Sequence, residues 1–245
     1  IYESQRQIAD TLQEALLVLP EHVEGITFAH EYRSASEVTR VGGDFFDIFR
    51  VDDHTVGVVI GDVSGKGLDA AVLTSLARNT IRAYSAERMA PSSVIERAGD
   101  IILANTDRWT FMSAFYAVLD LDAGVITYCN AGHPAPALLS PDGIVRSLAP
   151  TAAITGAFEE AIHGQASESF APGDVLFLYT DGLVEARSKA GLYGQTRLHA
   201  TLRECAGLEP EELVHHVLRD VDAYSTHRLG DDLAVLCLRV DREPR

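Results

Sequence analysis

The sequence predicts an α+β fold in which antiparallel hairpins dominate and helices come in pairs, and three observations carry that expectation. Short apolar runs are separated by compact turn signals, Asp52-Asp53, Asp122-Ala123-Gly124 and Pro141-Asp142-Gly143, which are hairpin chemistry. Two helical stretches, Leu68 to about Ser85 and Pro91 to about Thr106, follow one another without a strand between them. Four strand ends or beginnings place an Asp beside a Gly, at Asp44, Asp62, Asp181 and Asp231.

Residues 1–19 read as a helix. Ile1, Ile8 and Ala15 recur every seven residues with Leu12 and Leu19 beside them, a short coiled-coil seam or a helix packed on its own domain, and Pro20 ends it. The expected division is a linker helix over 1–24 and one domain over 25–245. Gly25 to Arg33 is the first strand, with Ile26 and Phe28 turned inward. Gly42-Gly43 then permit an unusual backbone before Asp44 enters the aromatic strand Phe45-Phe46-Asp47-Ile48-Phe49. A carboxylate leading such a strand is costly to bury unless something pairs it; a plain turn residue is the competing reading.

The apolar run Val56 to Ile60 is a buried strand that delivers Asp62 at its C-terminal end, ahead of the glycine turn Gly61 to Gly67 and the first of the two helices. A phosphate-binding P-loop fails on spacing, since three residues rather than four separate Gly61 from Gly65, and Gly67 follows Lys66 where Ser or Thr is needed. The second helix shows an apolar face of Val94, Ile95, Ala98, Ile101 and Ile102. Phe111 to Leu121 and Val125 to Asn130 make a hairpin, Asn130 to Pro134 a tight loop, and Ala135 to Leu139 a further strand. His133 invites a catalytic role, against the plainer one of bracing its own loop. Residues 149–166 carry little pattern and read as a flap or irregular connection. Asp174 to Thr180 is a buried strand ending in Asp181-Gly182, Glu211 to about Ser225 a helix, and Leu233 to Val240 the last strand, entered through Gly230-Asp231-Asp232.

Composition bounds the function. Of 245 residues, 47% are hydrophobic and 23% charged, which is ordinary globular usage, and the net charge of −16 argues against nucleic acid and anionic membrane as partners. No apolar run approaches the roughly 18 residues that would span a bilayer. Cys129, Cys205 and Cys237 are scattered without CxxC spacing, as expected of reduced core thiols in the cytoplasm. The chain opens without Met, so a piece of a longer parent is expected, which would set whether the domain is free in the cytoplasm or tethered to a membrane. Several carboxylates converging on one place would raise one another's pKa, a cost that a hard, oxygen-seeking cation such as Mg²⁺ or Mn²⁺ removes.

The segments Val41 to Asp47, Gly61 to Gly67, Asn130 to Pro134, Tyr179 to Ala186 and Asp231 to Val235, in that order, resemble the metal-dependent protein phosphatases of the 2C type, specifically the bacterial branch of stage II sporulation protein E and the stress sigma-factor regulators. The resemblance covers nearly all of residues 25–240. It implies an α-β-β-α sandwich, two packed antiparallel sheets flanked by helices, with a two-cation site (Mn²⁺ or Mg²⁺) at one edge. By motif match, Asp62 bridges both ions beside the backbone carbonyl of Val63, Asp181 and Asp231 hold one ion, and Asp44 helps hold the other; Asp62 and Asp181 are the catalytic pair. Asp47 and Asp232 are implied to support these ligands from behind. The phosphate-gripping Arg of eukaryotic relatives has no sure counterpart, Arg40 being the nearest candidate and Lys66 the next. Those relatives carry a candidate acid, His, two residues after the bridging Asp; here Ser64 stands there, leaving protonation of the leaving group to water or the rate modest.

Two ions roughly 3.5–4 Å apart generate hydroxide near neutral pH and clamp the oxygens of an in-line displacement at phosphorus. The implied activity is thus a serine/threonine protein phosphatase, its implied substrate a phosphorylated anti-anti-sigma factor, with an upstream sensor domain or a second copy engaged through residues 1–19. Three alternatives compete: a catalytically weak metal-binding module that holds a phosphoprotein, a hydrolase with a phospho-Asp intermediate, and a structural domain with acidic turns. The second needs an Asp-x-Asp that none of these strand tips has.

Overall fold

The computed structural model describes residues 18–34, 42–65, 68–106, 110–155, 163–225 and 230–241. The expected helix over 1–19 falls almost wholly outside them, as do Arg40 and Lys66. Val18, Leu19 and Pro20 are described and are not helical; Leu19 already packs on the core and Val23 is buried in it.

Among the described residues, twelve strands and five helices follow in the order β1 (Ile26–Arg33), β2 (Asp44–Arg50), β3 (Thr55–Val63), α1 (Leu68–Ala86), α2 (Pro91–Asn105), β4 (Met112–Asp120), β5 (Val125–Ala131), β6 (Ala137–Leu139), β7 (Val145–Ser147), β8 (Ala166–Ser169), β9 (Val175–Tyr179), α3 (Asp181–Val184), β10 (Arg187–Ser188), β11 (Gly191–Leu192), α4 (Gly194–Glu204), α5 (Pro210–Ser225) and β12 (Leu233–Val240). Sheet I has the order β1-β12-β9-β6-β7 and sheet II the order β2-β3-β4-β5-β8, with every pairing antiparallel; β10 and β11 form a separate small ribbon.

Side-chain alternation along the strands sorts the apolar residues into three layers. In sheet II the even positions Phe46, Ile48, Val58 and Ile60 face Leu236 and Leu238 of sheet I, forming the central core. Odd positions, Phe45, Phe49, Val59 and Val63, face outward onto Ala77 and Ile81 of α1 and Val94, Ile95 and Ile102 of α2. On the far side Phe177, Val235 and Cys237 carry Leu198 and Leu202 of α4 and Leu213, Val217 and Val221 of α5. The helices thus cover both outer faces, giving the four-layer sandwich. Because each central strand is buried on both faces, Val56 to Ile60 reads as continuous rather than alternating.

Three elements differ from expectation. The stretch 149–166, expected to be irregular, is tied into the sheets, since Ala152 bridges both Ala131 and His163 and the last residue of the stretch opens Ala166–Ser169, an edge strand of sheet II. Helix α4, unforeseen, buries only Leu198, Thr201 and Leu202 of its eleven residues, too thin an apolar stripe to stand out in the sequence. Asp181, expected only as the end of a strand, opens a single helical turn.

Candidate metal centre

Register brings the carboxylates together. In the β2–β3 pair Asp44 lies opposite Asp62, and in the β3–β4 pair Asp62 lies opposite Ser113. Directly opposed residues share a face, with Cβ atoms about 5 Å apart, and this face is the inner one, at the end where the two sheets part. From sheet I, β9 runs into Asp181 at the start of α3, and Asp231-Asp232 lead into the adjacent β12. Asp44, Asp62, Asp181, Asp231 and Asp232 line one cavity of about 110 Å³ with Gly43, Val63 and Gly65. Four of the expected ligands and the Val63 backbone therefore come together from the two sheets.

Glycines make the convergence sterically possible. A methyl group added at Gly43 would overlap the Val63 carbonyl oxygen and Asp62 Oδ1; at Gly42 it would overlap Asp232 Oδ2, and at Gly182 the Asp232 backbone carbonyl. These are close backbone approaches of the kind only glycine allows. The Gly43 carbonyl in turn accepts from the Val63 N–H at 3.0 Å and from Thr74 Oγ1 of α1 at 3.2 Å.

The electrostatics favour a cation. Asp44 is 8% exposed, and its pKa is raised well above the ordinary carboxylate value, chiefly by burial and then by the negative charge of Asp62; a hydrogen bond from Thr180 opposes the rise, and Asp181 and Asp232 add to it. Asp181 is likewise raised, by burial and then by Asp231 and Glu185. Among the described residues no three Asp, Glu, His or Cys side chains stand as a ready-made metal cage. Five aspartates nonetheless line the cavity; a hard cation that keeps several waters needs only one or two carboxylates from the protein, and the cavity has room for an ion with a few waters. The all-oxygen donor set, with Val63 O and Asp62 Oδ1 crowding the place a Gly43 side chain would fill, fits Mg²⁺ or Mn²⁺.

Other expected residues sit differently. Asp47, expected to back the ligands, lies three positions along β2 from Asp44 and so faces the helix layer. Fully buried there, it takes ion pairs from Arg78 at 3.1 Å and Arg82 at 3.0 Å on α1, away from the carboxylates. Asp232 does line the cavity beside Asp231, because the two precede β12 in a bend, where strand alternation does not apply. Its Oδ1 accepts from Ser34 Oγ at 3.1 Å, and its N–H donates to Asp231 Oδ1 at 3.0 Å. Ser64, at the position of the eukaryotic His, is engaged in a backbone clasp: its N–H donates to the Phe111 carbonyl and its Oγ accepts the Phe111 N–H, both at 2.9 Å. His133 is buried and braces the loop: its N–H donates to Asn130 Oδ1, and its Nδ1 lies 3.0 Å from Ser113 Oγ. Sequence reasoning passed over Thr180 and Ser34; the one signal for Thr180 is a buried hydroxyl closing an apolar strand immediately before Asp181.

Two antiparallel sheets, helices on both outer faces and an acidic edge where the sheets part define the protein phosphatase 2C-type fold. Within that class the chain belongs to the stage II sporulation protein E family, whose model matches residues 52–241. It is 29% identical over 212 residues to Protein IcfG of Synechocystis sp., covering 72% of this chain and 33% of that protein. It is 24% identical over 201 residues to the phosphoserine phosphatase RsbU of Bacillus subtilis, covering 82% and 60%. The crystal structure of the RsbU and RsbW domains of Rv1364c from Mycobacterium tuberculosis superposes with a TM-score of 0.80 at 26% identity, over 94% of this chain and 64% of that one. The chain thus spans between about a third and three-fifths of the length of these two curated relatives.

Proposed function

We propose that this domain is a divalent-cation-dependent protein serine/threonine phosphatase. The observation that carries the reading is the convergence of Asp44 and Asp62 from sheet II with Asp181 and Asp231 from sheet I on one cavity. Membership of the stage II sporulation protein E family and likeness to a phosphoserine phosphatase support it.

Asp62, between Asp44 and Ser113 in the sheet register, would be the carboxylate shared between two cations, with the Val63 carbonyl as a further oxygen donor. Asp181 and Asp231 would hold one cation from the sheet I side, and Asp44 would help hold the other from sheet II. When bound, divalent cations supply Lewis acidity and an activated water for in-line attack on a phosphate monoester. The chain's own contribution is to fix these carboxylates before substrate arrives, and to leave the leaving-group proton to solvent, since Ser64, the acceptor of the Phe111 N–H, carries no proton acidic enough to give up near neutral pH. No helix among the described residues is long and apolar enough to cross a membrane, and the strong negative charge disfavours nucleic acid.

The substrate we favour is a phosphorylated anti-anti-sigma-type protein met in the cytoplasm, with residues 1–19 linking to a sensor domain or a second copy. Arg40 and Lys66 remain the candidates for the phosphate. Purified protein given Mn²⁺ or Mg²⁺ should release phosphate from a phosphoserine protein faster than from p-nitrophenyl phosphate, because contacts remote from the reacting group help to orient it. EDTA should stop both reactions. Full turnover in EDTA would show that the carboxylates serve some other purpose.

A further inference from the structure

We propose that Thr180 is a positioning residue that locks the carboxylate set from behind, an inference that rests on the cation-binding reading above. Its side chain is fully buried one residue past the end of β9, where α3 begins. Thr180 Oγ1 donates to Asp44 Oδ2 at 2.8 Å and accepts the Ala234 N–H at 2.8 Å, while the Thr180 N–H donates to the Ala234 carbonyl at 3.0 Å. A hydroxyl has one proton. With the Ala234 amide on its acceptor side, that proton is directed at Asp44.

The placement gives this bond its consequence. Asp44 belongs to sheet II, whereas Ala234 lies in β12 of sheet I and Thr180 directly follows its strand β9. Thr180 immediately precedes Asp181, and Ala234 follows Asp231-Asp232 within three residues. One hydroxyl therefore fastens together the three segments that carry four of the five cavity carboxylates, across the gap between the sheets. It holds Asp44 by Oδ2 and so fixes the orientation of the whole carboxylate. Threonine's branched Cβ limits its side-chain rotamers, so the hydroxyl is aimed before any ion arrives. Groups that orient metal ligands in this way typically change affinity by about 10- to 100-fold when removed.

The test is Mn²⁺ binding to metal-free protein, followed by the electron paramagnetic resonance signal of the free ion. Wild type, Thr180→Val, which keeps the shape without the hydroxyl, and Thr180→Ser, which restores it, are compared, with circular dichroism to confirm folding. Thr180→Val should bind Mn²⁺ at least tenfold more weakly and Thr180→Ser within about threefold of wild type. Unchanged affinity in folded Thr180→Val overturns the inference, because a hydroxyl that served only packing would lower thermal stability without moving affinity. Should Thr180→Val not fold, hydrogen exchange at the Ala234 amide of wild type decides: it should slow on Mg²⁺ addition, and an unchanged rate overturns the inference. Wild type that bound no Mn²⁺ would instead overturn the cation-binding reading itself.

Discussion

Asp44 and Asp47 are two acidic residues of one strand with opposite fates, and parity along β2 decides between them. Asp44 shares the inner face with Phe46 and Ile48, and Asp47 shares the outer face with Phe45 and Phe49. The sequence showed both as carboxylates in an aromatic run, and alternation alone would have separated them; grouping by proximity in the motif did not. At Asp231-Asp232 the reverse holds, since applying alternation to a bend would wrongly turn one of the pair away from the cavity. The Asp47 cluster has its own energetics. Asp47 is fully buried, the Arg78 side chain is 10% exposed, and Arg78 also donates to the Val18 carbonyl at 3.0 Å. Removing one partner of a buried ion pair strands the other charge, whereas replacing both with apolar groups is often nearly neutral. Arg78→Met should therefore lose about 3 kcal/mol in urea unfolding, with Arg82 compensating in part, and Asp47→Leu combined with Arg78→Met should recover most of it. A double variant as unstable as the single would place the loss in packing around α1 rather than in the stranded charge.

Among the elements, the hairpins and the paired helices α1 and α2 were legible because each had both a period and a stop signal. Helix α4 and strands β7, β8, β10 and β11 were not, since each is short or buries few side chains, and tertiary contacts rather than local pattern hold it. The loop between β5 and β6 was legible as a turn, but not as the bridge it makes between the sheets. Gly132 adopts a left-handed φ of 66° beneath Ile154, Asn130 Nδ2 reaches the Leu148 carbonyl at 3.3 Å, and the Tyr179 hydroxyl donates to the Ala135 carbonyl at 3.1 Å. Buried in this loop, His133 has its pKa lowered from 6.5 to about 3, chiefly by desolvation. The folded protein thus keeps His133 neutral where the unfolded chain protonates it. Unfolding then takes up a proton as pH falls below about 6.5, so stability rises with pH between about 3 and 6.5 and is lost on acidification through that window. Between pH 7 and pH 5 this single group should cost about 2 kcal/mol. His133→Gln, whatever its stability at neutral pH, should lose that much less over the same interval. Identical pH slopes in urea unfolding for the two proteins would mean that His133 finds a way to charge in the folded state.

At the scale of the whole molecule, the sandwich is a closed apolar core with one edge that resists closing. Along most of their length the sheets meet through Phe46, Ile60, Phe115, Leu178 and Leu236, but at the parted end Asp44 and Asp62 of sheet II confront Asp181, Asp231 and Asp232 of sheet I. Like charges brought that close oppose the approach of the sheets, and a divalent cation between them turns repulsion into attraction. Binding should therefore stabilise the fold as well as prepare the site. A cation at about 100 times its Kd adds about 2.7 kcal/mol, which for a domain of this size corresponds to a rise of about 5–10 °C in Tm. Calorimetry in EDTA and in excess Mg²⁺ should show that rise for wild type. Asp62→Asn removes a charge from the centre of the repulsive group and also removes the carboxylate proposed as the shared ligand. Its Tm in EDTA should equal or exceed that of wild type, and its gain from Mg²⁺ should shrink to a small fraction. If Mg²⁺ raised both proteins equally, the ion would be stabilising the −16 charge of the molecule at large, and the parted edge of the two sheets would not be where it acts.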